Sequence, residues 1–139
     1  MNLMSSTLLT EDTGVPFHQL QAEQIQMYRE AWAAAGWGRE PRVSVSRSIF
    51  PLVSDQDRAY FGFDRNSQDQ VGHIDGGLAR FGKSYAGEPD RLVEELAQDE
   101  AIAAADTLLL TVPNQLGVDY NAHVIESVLT QVAPALGWR

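Results

Sequence analysis

The sequence predicts an α/β protein with parallel strands, and three observations carry that prediction. The run Asp106-Thr107-Leu108-Leu109-Leu110-Thr111-Val112-Pro113 is the most apolar short stretch of the chain. Its length and its Leu/Val/Thr content suit a strand, and its lack of alternation predicts that both faces are covered, as in parallel sheets. Arg42 to Phe50 alternates, with Val43, Val45, Arg47 and Ile49 on one face and Ser44, Ser46, Ser48 and Phe50 on the other. Helical patterns stand between and after these strands, so β and α alternate along the chain.

Asn2 to Leu9 reads as a strand with its following loop, and Thr10 to Gly14 as a polar turn. Pro16 to Gly36 reads as a helix. Ile25, Tyr28, Trp32 and Ala35 recur at steps of three and four and make one apolar stripe, and Gly36 stops it. Tyr28 and Trp32 are expected in the core. Ser54 to Gly62 predicts a short helix opening on Ser-Asp-Gln-Asp, a capping box with Asp in place of Glu. Phe63 to Ser84, rich in Gly, Asp and Asn, is expected to hold short helical pieces joined by mobile turns.

Gly87-Glu88-Pro89-Asp90 marks a helix start, with Leu92, Val93, Leu96 and Ile102 as the buried stripe. Glu94, Glu95, Asp99 and Glu100 are expected on its solvated face. Asp119 to Leu136 is expected to be the last helix, with Val124, Ile125, Val128 and Val132 inside and Asp119 as cap.

The 139 residues suffice for a single domain with a real core. The formal charge of −9, with no basic patch in the sequence, argues against a nucleic-acid partner. Without cysteine there is no disulfide, no thiolate metal site and no cysteine nucleophile, which fits a reducing cytoplasm. No apolar run is long enough to span a bilayer, and Met1 to Thr13 lacks the pattern of a signal peptide. A cytoplasmic protein is therefore expected.

Several segments carry a resemblance. They are Arg42-Val-Ser-Val-Ser-Arg-Ser-Ile-Phe50, the glycine-rich stretch after it, Gly87-Glu-Pro-Asp-Arg-Leu-Val-Glu-Glu-Leu96, Leu108-Leu-Leu-Thr-Val-Pro-Asn-Gln-Leu-Gly117 and Val132-Ala-Pro-Ala-Leu-Gly-Trp-Arg139. Together they resemble the carboxyl-terminal part of luciferase-like flavin-dependent monooxygenases, the group of bacterial luciferase and alkanesulfonate monooxygenase. The resemblance implies a (β/α)8 TIM barrel. A complete barrel needs about 250 residues, and the matches fall on its last three strands. The implied fold is thus a partial barrel: the last three β/α units with parallel strands, residues 1–139 as one segment, and residues 63–86 as a mobile lid.

By the same resemblance the cofactor is reduced FMN, or coenzyme F420 in one branch. The reaction uses dioxygen to oxygenate a small organic substrate, and a flavin reductase supplies the reduced cofactor. The earlier strands, which carry much of the flavin contact in this family, fall outside the match. Raw sheet edges and an uncovered apolar face then predict a homo-oligomer. Two rivals stand beside this reading: a non-catalytic, self-associating barrel fragment without the flavin-binding half, and an F420-dependent oxidoreductase that transfers hydride without oxygen.

Arg47 is the first candidate for cofactor binding. A guanidinium in an apolar strand face is costly unless it meets an anion. The resemblance places a basic residue of this strand at the active site, and the alternative is a pair with a carboxylate at the barrel rim. Ser46 and Ser48 either donate to a phosphate or are small residues that let a helix pack. Strand alternation puts them opposite Arg47. Arg80 and Lys83, in the lid, either close on an anion or are solvated charges.

Asn114 and Gln115 follow the apolar strand, at the end where α/β proteins bind ligands, or else cap the next helix. Tyr85 is a weaker candidate. No metal site is expected from His18, His73 and His123, which stand on three separate elements. His18 and His123 are expected on solvated helix faces, and His73 against substrate. No dinucleotide, Walker or serine-elbow motif occurs.

Overall fold

The computed structural model describes residues 2–9, 14–62, 70–74 and 77–138. It is an α/β structure, and the chain divides into two compact units. The first takes residues 1–46, 69–82 and 99–109, the second 47–68, 83–98 and 110–139. Among the described residues no helix is long and apolar enough to cross a membrane.

The first unit is built on β1 (Leu3–Ser5), α1 (Phe17–Ala35) and β3 (Val43–Arg47), the last of which continues into the second unit. β1 and β3 pair in parallel, Leu3 beside Val43 and Ser5 beside Val45. The alternation of β3 is realised, with Val43, Val45 and Arg47 buried and the intervening serines half-buried. Ile25 of α1, Val43, Val45 and Ala101 form the core, with Leu3, Tyr28, Ile102 and Leu108 packed on it. A polar strap ties β1 to α1: Gln21 donates to Ser5 Oγ at 3.0 Å, and Ser5 donates to Gln24 at 2.6 Å.

The buried side of α1 is Phe17, Gln21 and Ile25, one turn-step after another. The stripe expected through Trp32 and Ala35 leaves the core: Trp32 is half-buried and Ala35 exposed. Gly36 ends the helix at φ 71°, and its N–H donates to Ala33. An L side chain is strained in that left-handed conformation. Gly36→Ala is expected to lower stability by about 1 kcal/mol, read as a downward shift of the chemical-denaturation midpoint at unchanged slope.

β8 (Thr107–Leu110) lies beside β3 in the order β1-β3-β8. Asp106 N–H donates to Val43 O at 2.8 Å and Thr111 N–H to Arg47 O at 2.9 Å, so both chains climb in the same direction. Asp106 also closes the start of the pair, its Oδ2 accepting from Val43 N at 2.8 Å with Arg29 3.6 Å away. The expectation that this apolar run is buried on both faces is corrected. Among the described residues β8 has one neighbouring strand, and Thr107, Leu108 and Leu110 are half-buried while Leu109 is exposed. The more buried strand is β3, which is paired on both sides.

Two further corrections concern the glycine-rich stretch. Residues 63–69 and 75–76 of the expected lid lie outside the described residues. Where helical pieces were expected, β5 (Gln70–Ile74) and β6 (Gly77–Phe81) form an antiparallel pair. β6 also pairs antiparallel with β2 (Thr7–Leu9), in the order β2-β6-β5. The described strands are therefore not all parallel. Residues joined by so short a link pair back on themselves, which parallel strands cannot do without a crossover.

In the second unit the strand expected over 42–50 breaks at Ser48, and β4 (Ile49–Pro51) pairs in parallel with β7 (Tyr85–Gly87). The helix expected from residue 89 to beyond 102 is two helices, α3 (Pro89–Ala97) and α4 (Glu100–Ala104). α4, with Asp99 before it, belongs to the first unit. Expected on the solvated face, Asp99 is buried and caps α4, accepting from Ile102 N at 3.0 Å. Leu92 and Leu96 are the buried stripe of α3.

The last helical segment begins after Gly117, which stands at φ 85°, rather than at an Asp119 cap; Asp119 lies in the first turn and is exposed. It runs as α5 (Val118–Ser127), a wide π-helical turn (Val128–Val132) and α6 (Ala133–Leu136). Tyr120, Val124, Val128 and Val132 face inward, whereas Ile125 is exposed. α3 packs against the π-helical turn.

Candidate functional site

The most elaborate polar arrangement among the described residues belongs to the second unit and centres on Asp57. The sequence Ser54-Asp-Gln-Asp57 builds α2 (Asp55–Phe61) from a complete capping box. Ser54 Oγ accepts from Asp57 N at 3.2 Å, and Asp57 Oδ2 accepts from Ser54 N at 2.9 Å and from Val53 N at 3.1 Å. The carboxylate has capacity to spare, and α5 uses it. Tyr120 donates its hydroxyl to Oδ1 at 2.6 Å, and His123 Nε2 lies 2.9 Å from Oδ1 and 3.1 Å from Oδ2.

Asp57 is 1% exposed. Burial pushes its carboxyl upward, but hydrogen bonds from Tyr120, His123, Ser54 and Val53 together outweigh burial and hold it at about 2. Burial, followed by the bond to Asp57 and its negative charge, raises the Tyr120 hydroxyl above its ordinary value. An ionised acceptor fixes the proton of His123 on Nε2. Nδ1, on the other side of a half-exposed ring, has no hydrogen-bond partner among the described residues. His123 thus does not simply face solvent, as expected; it is oriented by a buried anion. His18 is corrected in the same way, its Nδ1 accepting from Glu100 N at 3.3 Å.

An aromatic layer surrounds this cluster. Phe50 and Phe61 stack with centroids 3.8 Å apart, and Tyr60 meets Tyr120 edge-on at 5.2 Å. Phe50, Tyr120 and Val124 form a core on which Val112 and Leu116 pack. The loop after β8 is therefore pinned at both ends while Asn114 and Gln115 between them stay exposed.

Four of the five residues expected to bind a cofactor belong to this unit. Arg47 is 4% exposed at the last position of β3. Ser48 is half-buried, and its carbonyl accepts from Tyr85 N at 2.8 Å. Lys83 is not a solvated charge: it lies 3.8 Å from Glu95 Oε2 and 4.7 Å from the centre of the Tyr85 ring. Asn114 sits in the pinned loop. Backbone hydrogen bonds join residues 47 and 111, and residues 48 and 85, so these segments are neighbours. Arg80 belongs to β6 of the first unit, and its backbone is paired with Leu8 and Val71. His73 likewise lies on β5, opposite Leu78.

Asp57, Tyr120 and His123 were missed as a group. The capping box identified Asp57 as a helix-start residue, and its partners follow more than 60 positions later. Among the described residues no three His, Cys, Asp or Glu side chains are placed to hold a metal ion. No protein-family model matches the chain, and no curated protein matches it.

Proposed function

We propose that this chain is a luciferase-like flavin-dependent monooxygenase, or the carboxyl-terminal part of one, and that its strands β1, β3 and β8 belong to a partial (β/α)8 barrel. The observation that carries the reading is Arg47: a guanidinium buried at the carboxyl end of a strand with β1 and β8 on either side. α/β proteins place ligands beyond such strand ends. A guanidinium carries its donors in a fork that matches phosphate oxygens.

The donor chemistry fits the phosphate of a flavin mononucleotide. Arg47 supplies the charge, Ser48 a hydroxyl and Asn114 a carboxamide, with Lys83 as a further cation; Arg80, expected beside them, belongs to the first unit and is left out of this site. Lys83 shares its charge with Glu95 and the Tyr85 ring, so the reading weighs on Arg47. Bound in reduced form, FMN would supply the oxygen chemistry, with dioxygen and an organic substrate as co-reactants and a flavin reductase as donor. The chain's own part is to bind and orient, and to keep water out. F420 presents the same phosphate chemistry and would supply hydride transfer instead.

Titration with FMN and with F420, followed by fluorescence quenching, is expected to show saturable binding of one of them. Arg47→Ala is expected to weaken it more than tenfold, the loss of charged hydrogen bonds, and Arg47→Lys to restore part of it. Equal affinity in Arg47→Ala removes this residue from the site, and no binding of either cofactor overturns the reading. The exposed Val118, Ile125 and Leu129 of the last helical segment favour the rival, a self-associating chain without flavin. A colourless oligomer in size-exclusion chromatography with light scattering is what that rival predicts.

A further inference from the structure

Gly36 turns the chain back at the end of α1, and the residues on either side of that turn make a small aromatic chamber. Trp37 returns toward Trp32, with ring centres 6.1 Å apart, and Tyr28 lies 5.8 Å from Trp32. The Trp32 indole N–H donates to the carbonyl of Arg39 at 2.8 Å, which locks the turn against the helix. The Arg39 guanidinium carbon stands 5.0 Å from the centre of the Trp32 ring. Tyr28, Ala31, Trp32, Trp37 and Arg39 line a groove of about 350 Å³ that is open to solvent and almost wholly apolar. That is at the lower end of the roughly 300–1,000 Å³ of small-molecule sites.

We propose that this chamber is a binding site for a planar aromatic anion, such as an aromatic carboxylate or sulfonate. Three observations carry the assignment. The walls are aromatic faces, and Trp37 keeps 66% of its surface exposed, an apolar area that a flat ring would cover. An aromatic box alone would suit a cation, but here the cation is built in: Arg39 already holds a face of Trp32, and a second positive charge would be repelled. Among the described residues no carboxylate pairs with the Arg39 guanidinium, although the chain carries a formal charge of −9. Its remaining donors suit an anionic group on a ligand whose flat body stacks on indole.

The inference is independent of the flavin reading, because every wall of the chamber belongs to the first unit and Arg47 to the second. Calorimetric titration of the intact chain with 2-naphthalenesulfonate and with uncharged 2-naphthalenemethanol tests it. The sulfonate is expected to bind about tenfold tighter, the worth of one hydrogen-bonded charge. Arg39→Gln is expected to abolish that preference, Arg39→Lys to keep part of it, and Trp37→Ala to weaken both compounds. Equal affinity for the two compounds in the parent chain, a preference that survives Arg39→Gln, or unchanged binding in Trp37→Ala, each with a native circular-dichroism spectrum, overturns the proposal.

Discussion

Alanine at position 57 is expected to lower the unfolding free energy by about 3 kcal/mol, the cost of leaving several donors without their acceptor. The carboxylate satisfies the Tyr120 hydroxyl, the His123 ring and the N–H groups of Val53 and Ser54 at once. Removing it strands four donors, of which the one on half-exposed His123 can recover a bond to water. Asn at the same position keeps the shape and loses the charge, so it is expected to cost less. Urea unfolding at neutral pH decides the matter; a loss below about 1 kcal/mol would mean that the cluster is not formed.

Acid should reveal the same bond set. The Asp57 carboxyl is lowered from 3.8 to about 2 in the folded chain. Its contribution is therefore complete above the ordinary value and fades as pH falls from about 4 towards 2. The shift corresponds to about 2–3 kcal/mol at one pKa unit per 1.4 kcal/mol. In Asp57→Asn this part of the acid dependence is expected to vanish, while the other carboxyl groups continue to titrate.

Truncating Ile25 to alanine is expected to cost about 3 kcal/mol, within the range for buried aliphatic residues. Ile25 is 1% exposed and touches Val43, Val45 and Ala101, all fully buried. A cavity there opens between the helix and the strand that carries Arg47. The amides of Val43 and Val45 should then exchange with solvent faster under native conditions. Unchanged exchange at both would place the stability of β3 elsewhere than on α1.

Short-range chemistry was legible in the sequence. The alternation of residues 43–49 gave the buried face of β3, and Ser54 with Asp57 announced α2, because period and capping are local properties. What depended on neighbours was not. The apolar run 107–110 looked like the centre of a sheet, yet nothing in a run of leucines tells how many strands flank it. Asp99 read as one more surface charge in an acidic helix, whereas its buried side chain caps the start of α4. Glycine and aspartate around residues 70–81 disguised a strand pair whose stability comes from cross-strand pairing. The junction of Asp57 with Tyr120 and His123 joins segments that only the folded chain brings together.

The wide turn at Val128–Val132 accommodates one more residue than regular coiling would. Each residue of an α-helix advances the facing direction by about 100°, so the extra one acts as a rotary offset. It lets Ala133 share the buried side with Val124, Val128 and Val132, although a strict helical repeat would turn it about 140° away from Val128. A one-residue deletion here would therefore act less as a shortening than as a twist, turning the chain's final segment to present its oily side to water.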